Sequence, residues 1–432
     1  MSRLLLLFTF GALTSIGNMC AAATFKVIYA FKGAPDGAAP ESSLVFDSNG
    51  NLYGTTYIGG TGNCFLGCGT VFQLSPNGHG GFTERVIHSF QGPLIDGDNP
   101  EAPLIFDKRG NLYGATFMGG QSVTAAAGTV FRLSPKADGS WAETVLHSFN
   151  GALAGGPDGG GLIGGLVFDA AGNLYGTTAG GGTGTGCSGV TSGCGIVFQL
   201  KPAASGVWKE VILHNFTNNH RDGWSPQSTL VFDQAGNLYG TTFSGGSEPM
   251  GGGTVFKLAP TAGGFQETIL YSFKCGTDGC SPYSGVAFDA SGNLYGTTVG
   301  GGDAQGQGTV FKLIPDSNGG WTETVVHAFM GGLDGVLPYG NPIVDASGNL
   351  YGTTLNGGGG TTSNCLDGCG TVWKLIPGAS GVYTESVLRR FGNGAEGQGS
   401  LAGLVMDAQG NLYGTAAFAG PHGGGVVFEI TP

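Results

Sequence analysis

Short apolar segments separated by Gly, Asp and Pro run through the whole chain, and the tetrapeptide Asn-Leu-Tyr-Gly marks their period. It occurs seven times, beginning at Asn51, Asn111, Asn173, Asn237, Asn293, Asn349 and Asn411. Within each interval of 56 to 64 residues, β-branched and aromatic runs of strand length alternate with turn residues. A period of this length indicates a repeated supersecondary unit.

Four strands are predicted in each repeat, and we name them a to d in chain order. Strand a is the Leu-Val-Phe-Asp run, and a tight Asp-x-x-Gly turn joins it to strand b, Asn-Leu-Tyr-Gly-Thr-Thr. A Gly-rich loop leads to strand c, Gly-Thr-Val-Phe-x-Leu, and strand d is Glu-Thr-Val-Leu-His-Ser-Phe. Hydrophobic and polar residues alternate only weakly in strands a, c and d, which favours sheets packed on both faces, as in β-propeller blades. A β-helix, the rival architecture, has much shorter rungs.

The two ends of the repeat series predict how the strands close into a ring. Strands a, b and c each occur seven times, whereas strand d follows only six of the c strands. Residues 24–31 match strand d and precede the first repeat. We therefore predict an all-β, seven-bladed β-propeller with four-stranded blades, one domain over residues 24–432. Its N-terminal strand completes the last blade and leaves no central edge unpaired.

Composition and charge fit a folded, exported protein. Although Gly contributes 88 of the 432 residues, 40% are hydrophobic and only 11% are charged, which argues against disorder. The formal charge of −12 argues against nucleic acid or an anionic membrane as partner. Residues 1–23 are predicted to be a secretory signal peptide, so we expect no membrane insertion after its cleavage. Lipidation at Cys20 is the less favoured alternative, because Met19 is a poor residue before a lipidated cysteine.

The eight remaining cysteines fall into four close pairs: Cys64/Cys68, Cys187/Cys194, Cys275/Cys280 and Cys365/Cys369. Local pairing in an exported chain predicts four disulfides. A zinc site is disfavoured, because its ligands must converge on one point and these pairs are spread over several blades. We expect each disulfide to stiffen a Gly-rich loop and to contribute only about 2 kcal/mol.

The recurring Gly-Thr-Val-Phe after Gly-Asn-Leu-Tyr-Gly-Thr-Thr resembles the bacterial tandem repeat called GloVer. It occurs at 69–72, 128–131, 253–256 and 308–311, with variants at 195–198, 370–373 and 425–428. The resemblance covers essentially all of the mature chain and implies an exported bacterial protein of the choice-of-anchor type, often held outside the cell by a sorting signal. It implies no established activity and no catalytic residues. The a–b unit is also similar to that of NHL-type propellers.

Acidic residues recur at three positions of the repeat, which together hold 20 of the 29 acids. One set opens the a–b turns: Asp47, Asp107, Asp169, Asp233, Asp289, Asp345 and Asp407. A second precedes strand a: Asp36, Asp96, Asp158, Asp222, Asp278, Asp334 and Glu396. A third opens strand d: Glu84, Glu143, Glu210, Glu267, Glu323 and Glu385. We interpret the aspartates as turn caps, since the intervening residues do not repeat the oxygen ligands of a calcium loop. No metal and no cofactor is predicted.

Candidate catalytic groups do not stand out from the repeat. His88, His147, His214 and His327 share one position of strand d with Tyr29, Tyr271 and Arg389, which is typical of a packing or surface position. The Tyr of each Asn-Leu-Tyr-Gly is interpreted as a packing residue with a bonded hydroxyl. No Gly-x-Ser-x-Gly elbow, His-Glu-x-x-His pair or phosphate loop is present.

The repeats differ most in the b–c loops and the d-to-a connections, which a four-stranded blade brings to one face. On consecutive blades these segments carry His220, Arg221, Trp224, Tyr283 and Tyr339, and aromatics beside polar donors suit a sugar or a peptide. Ordinary loop variation is the alternative. We predict a secreted or periplasmic, monomeric, non-catalytic propeller that binds a glycan or an extracellular protein. The alternative function is an extracellular hydrolase, lyase or lactonase, which requires titratable groups converging at the channel mouth.

Overall fold

The computed structural model describes residues 23–432 apart from 121–126, 152–157, 188–192, 205, 248–250, 304, 360–364, 366, 380 and 393. The regular secondary structure in these ranges consists of β-strands. They contain no helix that is long and apolar enough to cross a bilayer. The predicted signal peptide at residues 1–23 lies outside the described residues except for Ala23.

Seven antiparallel sheets form the blades, and each has the predicted strand order a-b-c-d. From blade 1 to blade 7, the a strands are Val45–Phe46, Ile105–Phe106, Val167–Phe168, Val231–Phe232, Ala287–Phe288, Ile343–Val344 and Val405–Met406. The b strands are Leu52–Thr56, Leu112–Thr116, Leu174–Thr178, Leu238–Thr242, Leu294–Thr298, Leu350–Thr354 and Leu412–Ala416. The c strands are Thr70–Pro76, Thr129–Pro135, Ile196–Pro202, Thr254–Thr261, Thr309–Pro315, Thr371–Pro377 and Val426–Thr431. The d strands are Phe82–Ser89, Trp141–Ser148, Trp208–Asn215, Gly264–Ser272, Trp321–Ala328, Tyr383–Arg390 and, in blade 7, Thr24–Ala30.

The N-terminal strand completes blade 7, which confirms the predicted closure. Thr24–Ala30 pairs antiparallel with Val426–Thr431 through six residue pairs. The Phe25 ring packs against Phe391 of blade 6 and Phe428 of blade 7, with centroids 6.0 and 5.7 Å away. Pairing of the first and last strands in one sheet removes the open edges that a linear array would carry.

The Asp-x-x-Gly turns form as predicted and make strand a shorter than expected. In blade 1, Asp47 accepts the N–H groups of Asn49 and Asn51 at 2.8 and 2.9 Å, and the Tyr53 hydroxyl at 3.1 Å. Burial alone would raise the pKa of Asp47, but these bonds outweigh it and lower the pKa. Because Asp47 is bonded within the turn and the buried Leu44 precedes the ladder, strand a keeps only two of its four predicted residues.

The Gly of Asn-Leu-Tyr-Gly allows the aromatic residue of strand c to pack directly onto strand b. A Cβ at Gly54 would lie 2.7 Å from the Phe72 ring and 2.9 Å from Leu44. The hydrophobic core lies between adjacent blades, where Tyr53 of blade 1 packs with Leu112 of blade 2. Strand b is buried along its whole length in each blade.

Candidate functional site

Each blade brings its d-to-a connection and its b–c loop to one face, which confirms the predicted arrangement, and we name it the loop face. Short sheets join the two segments in three blades: Gly37–Ala38 with Ile58–Gly59, Gly159–Gly160 with Gly180–Gly181, and Gly223–Trp224 with Ser244–Gly245. Single bridges do so in the others: Asp98–Met118, Cys280–Gly300, Val336–Asn356 and Gln398–Phe418. The a–b and c–d turns lie on the opposite side, the turn face.

A tight backbone turn in the d-to-a connection directs the chain toward the propeller axis. The residue before the Pro of Asp-Gly-x-x-Pro has positive φ: Ala39, Asn99, Ser225, Ser281 and Leu337 lie between 54° and 58°, and Gly161 and Gly399 replace them in blades 3 and 7. Left-handed backbone costs a non-glycine residue on the order of 1 kcal/mol. In blade 2, the left-handed residue is stabilised by the loop of blade 1, because the Asn99 N–H donates to the Cys68 carbonyl at 3.1 Å.

The residue after that Pro position lines the mouth of the central channel. From blade 1 to blade 7 these residues, which we name the channel-mouth ring, are Glu41, Glu101, Ile163, Gln227, Tyr283, Tyr339 and Leu401. They surround a cavity of about 100 Å³. At about 30 Å³ of liquid volume per water, this volume holds roughly three water molecules.

Strand b of the preceding blade fixes five of the seven ring positions. Its first Thr donates a hydrogen bond to the backbone carbonyl of the residue that follows the ring residue. These bonds are Thr177 to Ser228 at 2.9 Å, Thr241 to Ser284 at 2.7 Å, Thr297 to Gly340 at 3.3 Å, Thr353 to Ala402 at 2.8 Å and Thr415 to Ser42 at 3.3 Å. Since these threonines are buried, the ring side chains are presented from a rigid base.

Two carboxyl groups occupy adjacent positions of the ring. Glu41 and Glu101 form no hydrogen bond or ion pair with any other residue in the described ranges. Burial raises the pKa of Glu41 to about 7. Burial, followed by the charge of Glu41, raises the pKa of Glu101 to about 8. The pair therefore retains a proton at neutral pH, and each group has hydrogen-bonding capacity that the protein does not use.

Two tyrosines occupy the opposite side of the ring. The rings of Tyr283 and Tyr339 meet edge to face with centroids 4.8 Å apart, so they do not form a flat shelf. Burial, followed by the charge of Glu101, raises the pKa of Tyr283, which indicates that the phenol and the carboxyl groups face one cavity. The channel mouth thus has an acidic side and an aromatic side.

The four predicted disulfides form, and all of them support the channel-mouth ring: Cys64–Cys68, Cys187–Cys194, Cys275–Cys280 and Cys365–Cys369. Three stabilise b–c loops in which a cysteine carbonyl accepts the N–H of the turn in the next blade: Cys68 from Asn99, Cys194 from Ser225 and Cys369 from Gly399. These turns present Glu101, Gln227 and Leu401. The fourth disulfide lies in the connection that presents Tyr283.

The residues predicted from the sequence to bind a ligand are only partly brought together. Tyr283 and Tyr339 line the channel cavity. His220 and Arg221 are exposed on the loop face. Trp224 pairs with Ser244 in a two-stranded sheet and packs on the core between blades. These last three do not line the cavity, and a ligand-binding role for the five residues remains a prediction.

Sequence reasoning did not identify Glu41, Glu101 and Gln227 as site residues. The signal that identifies them is a comparison of the seven Asp-Gly-x-x-Pro segments. The following position varies among Glu, Ile, Gln, Tyr and Leu, whereas the flanking strand a is nearly uniform.

A second set of polar residues joins neighbouring blades, and we name these groups interblade clasps. Each combines the strand-d residue of the His position, the acid of the following connection and a Glu from strand d of the next blade. In one clasp, His214 Nε2 lies 3.3 Å from Asp222 Oδ2 and 3.5 Å from Glu267 Oε1. The others are His88/Asp96/Glu143, His147/Asp158/Glu210, His327/Asp334/Glu385, Tyr29/Asp36/Glu84 and Tyr271/Asp278/Glu323.

The clasps correct the sequence interpretation of these acids and histidines. Asp96 does cap its turn, accepting the Gln91 N–H at 2.8 Å, but its other oxygen lies 3.1 Å from His88 Nε2. The histidine position is thus a polar contact between blades as well as a packing position. Sequence spacing did not reveal this because the three members come from three separate segments.

The seventh clasp contains an arginine in place of the His or Tyr, and it has one acid where the others have two. Arg389 forms an ion pair with Glu396, and its guanidinium lies 4.5 Å from the centroid of the Phe25 ring. Phe25 occupies the position that holds Glu in the other clasps. A permanent cation is therefore matched with one acid and an aromatic face, whereas two acids accompany a His or a Tyr.

In the other six clasps, the pKa of the glutamate is raised, mainly by burial. Burial raises the pKa to about 8 for Glu267 and to about 7 for Glu84, Glu143, Glu210, Glu323 and Glu385. One oxygen of each is buried and accepts no hydrogen bond from the described residues. We interpret each pair of acids as sharing a proton near neutral pH.

Three clasps also bring together donors that metal ions use. In His147/Asp158/Glu210, His214/Asp222/Glu267 and His327/Asp334/Glu385, one ring nitrogen and two carboxyl oxygens lie within 4.8 Å of one another. Equivalent clasps with Tyr29 or with Arg389 and Phe25 join their blades through hydrogen bonds or cation–π contact instead. The interblade contact therefore does not depend on a metal, and proton sharing explains all six acid pairs.

Comparison with solved structures finds matches at low identity. The chain is similar to the periplasmic gluconolactonase PpgL of Pseudomonas aeruginosa, with 18% identity, 81% of this chain and 84% of that chain covered, and a TM-score of 0.47. A protein of unknown function from Dyadobacter fermentans is 12% identical over 84% of this chain and 98% of that chain, with a TM-score of 0.43. An ancestral GH74 enzyme is 12% identical, with a TM-score of 0.50; 91% of this chain aligns but only 51% of that one. The last likeness concerns the fold alone.

Comparison of the sequence with protein-family profiles assigns the chain to a family. No curated protein matches the chain significantly. Residues 10–188 and 183–365 each match the profile of the Gloeobacter/Verrucomicrobia repeat, which confirms the resemblance drawn from the double motif. Since these matches cover more than half of the chain, the protein belongs to the Gloeobacter/Verrucomicrobia repeat family.

Proposed function

We propose that this protein is an exported, non-catalytic propeller that binds a glycan at the mouth of its central channel. One observation carries the proposal. The unpartnered carboxyl groups of Glu41 and Glu101 and the rings of Tyr283 and Tyr339 line opposite sides of the cavity at the channel mouth.

The ring chemistry fits a ligand rich in hydroxyl groups. When Glu41 and Glu101 are ionised, their carboxylate oxygens accept hydrogen bonds from sugar hydroxyls, and such charge-assisted bonds are stronger than neutral ones. Tyrosine supplies an apolar ring for the C–H face of a sugar, and the Gln227 amide both donates and accepts. None of the seven ring residues is basic, so an acidic sugar is disfavoured at this site.

Export is supported by the cysteine chemistry. Four disulfides are typical of proteins that fold in an oxidising compartment such as the periplasm or the cell exterior. The predicted signal peptide at residues 1–23 agrees with that location.

The test is calorimetric titration with neutral, amino and acidic oligosaccharides, after an array screen. At pH 9, where both carboxyl groups are ionised, Glu41→Gln and Glu101→Gln are each expected to weaken binding of the best neutral ligand about tenfold, the effect of removing one hydrogen bond to a charged group. Asp316→Asn, which removes one negative charge in an exposed c–d turn on the turn face, is the matched control and should leave affinity unchanged. Affinity should also rise from pH 6 to pH 9 as the two carboxyl groups ionise. Equal affinities for the wild type and both glutamine variants would rule out the site.

An extracellular hydrolase, lyase or lactonase is the second candidate, and one observation favours it. The pKa values of Glu41 and Glu101, near 7 and 8, are those of a general acid that works near neutral pH. Incubation with polysaccharides and sugar lactones, followed by product analysis, separates the two functions. Turnover that disappears in Glu101→Gln would establish an enzyme and replace the binding proposal.

A further inference from the structure

A second cavity lies on the turn face between blades 2 and 3, at the opposite end of the blades from the channel-mouth ring. Its volume is about 810 Å³. The a–b turns of blades 2 and 3 and the c–d turn of blade 3 bound it, and we name it the blade 2–3 groove. Small-molecule sites typically have volumes of roughly 300–1,000 Å³. The groove is therefore large enough for a short oligosaccharide.

The groove is locally basic in an acidic protein. Lys108, Arg109 and Arg132 line it, and so do Asp107 and Asp169. Three cations and two anions give a local charge of +1, against a formal charge of −12 for the chain. In the other six blades, the two residues between the Asp and Gly of the a–b turn include no Lys or Arg. The basic turn is thus specific to this groove.

The two aspartates are occupied within their own turns. Asp107 accepts the Arg109 and Asn111 N–H groups at 2.8 and 2.9 Å and the Tyr113 hydroxyl at 3.1 Å. Asp169 makes the same bonds in blade 3. The basic side chains of Lys108 and Arg109 are exposed and make no ion pair in the described ranges, so they are accessible to a ligand.

Arg132 is not required by the strand that carries it. Gln73 and Gln199 occupy its position in blades 1 and 3. The Arg132 side chain contacts the Tyr113 hydroxyl, while its Nε has no hydrogen-bond partner among the described residues. The protein therefore leaves one buried donor of the guanidinium unpaired.

Aromatic residues form the wall beside these cations. Trp208 and Phe168 line the groove and are only partly buried. Both meet the Tyr113 ring edge to face, with centroids 6.2 and 5.0 Å away. Packing on a buried tyrosine holds the two rings in place and gives the groove a preformed apolar surface.

We propose that the blade 2–3 groove is a second glycan site, specific for an acidic oligosaccharide of the uronic acid type. The sugar ring packs on Trp208 and Phe168. Its carboxylate is bound by Arg132 together with Lys108 and Arg109, since guanidinium and ammonium groups form strong hydrogen bonds with carboxylates. The site is independent of the channel-mouth ring, whose acids disfavour such a ligand.

The test uses a short galacturonic acid oligomer, its methyl-esterified form as the uncharged control, and a glutamate oligomer as the acidic peptide. The substitutions copy other repeats, so folding is preserved. Lys108→Ala with Arg109→Ser gives the turn of blade 5, and Arg132→Gln gives the residue of blades 1 and 3. Lys312→Gln, at the same strand position in blade 5, is the matched control. Galacturonate affinity should fall about tenfold in each groove variant and stay unchanged in the control.

Three results would overturn the proposal. These are equal binding of the methyl ester, unchanged affinity in both groove variants, and tighter binding of the glutamate oligomer, which would assign the groove to acidic peptides. Glu101→Gln must leave galacturonate affinity unchanged. A galacturonate response lost in Glu101→Gln but kept in Arg132→Gln would place the anion at the channel mouth and contradict both proposed sites.

Discussion

The interblade clasps predict that one conservative substitution alters the pH dependence of stability. The Glu267 side chain is 14% exposed, and its Oε1 lies 3.5 Å from His214 Nε2. Burial raises its pKa from 4.5 to about 8; the charge of His214 opposes this rise and that of Asp222 adds to it. In Glu267→Gln, the side-chain amide donates to Asp222 as the protonated carboxyl group does, and it carries no titratable proton.

The magnitude follows from the shift. One pKa unit corresponds to 1.36 kcal/mol, so a rise from 4.5 to about 8 sets an upper bound of about 5 kcal/mol, which solvent screening reduces to about 2 kcal/mol. Because the folded state holds the proton more tightly than the unfolded chain, this contribution is complete below pH 4.5 and is lost as the pH rises to 8. Burial alone would lower the pKa of His214, but Asp222 and Glu267 outweigh it and raise this pKa. His214 therefore also makes the folded state less stable as the pH rises above 6.5.

Thermal unfolding of the wild type and Glu267→Gln at pH 5 and pH 9 measures the effect. Relative to the wild type, the variant should gain about 2 kcal/mol between the two pH values. With an unfolding entropy of about 0.9 kcal/mol/K for a chain of this size, the gain corresponds to about 2 °C in Tm. The control is Asp316→Asn in an exposed c–d turn, where Asn77 makes the equivalent bonds in blade 1. An equal loss of stability at both pH values in Glu267→Gln, or an equal gain in the control, would refute the reasoning.

Three further predictions concern the closing strand, the disulfides and the repeat glycine. Phe25→Ala removes the ring that packs on Phe391, Phe428 and Arg389. Denaturant unfolding should show that the free energy of unfolding falls by about 2 kcal/mol. An unchanged unfolding midpoint would argue against a contribution of this contact to ring closure. Replacing Cys64 and Cys68 by Ser should cost about 2 kcal/mol or less but should weaken channel-mouth binding, because the disulfide fixes the loop whose Cys68 carbonyl accepts the Asn99 N–H of the turn that presents Glu101. Calorimetry against the wild type measures the effect, and an unchanged affinity would contradict it. Gly54→Ala places a Cβ 2.7 Å from the Phe72 ring and should destabilise by about 3 kcal/mol, measured by urea unfolding. Gly263→Ala, which also lacks a positive φ but has open space around its Cβ, is the control and should cost little.

The architecture was predictable because its information is local and repeated. Seven copies of Asn-Leu-Tyr-Gly and one displaced strand d were enough to predict the blades and the pairing of Thr24–Ala30 with Val426–Thr431. The Asp47 turn and the Tyr53 hydroxyl bond were also predictable, since all their partners lie within six residues of one another.

The candidate site was harder to predict because it depends on contacts between blades. Glu41 and Glu101 come from successive blades, and closure of the ring places them opposite Tyr283. Each is an ordinary member of its repeat until the seven copies are superposed. Trp224 shows the converse problem, because an unusual residue in a variable segment packs on the core and does not reach the channel.

The most direct test of the channel-mouth proposal is a crystal structure of the protein soaked with its best-binding neutral oligosaccharide. One sugar ring is expected between the carboxyl groups of Glu41 and Glu101 and the rings of Tyr283 and Tyr339. Sugar density confined to the exposed His220–Arg221 loop, or to the turn face, would contradict the proposal.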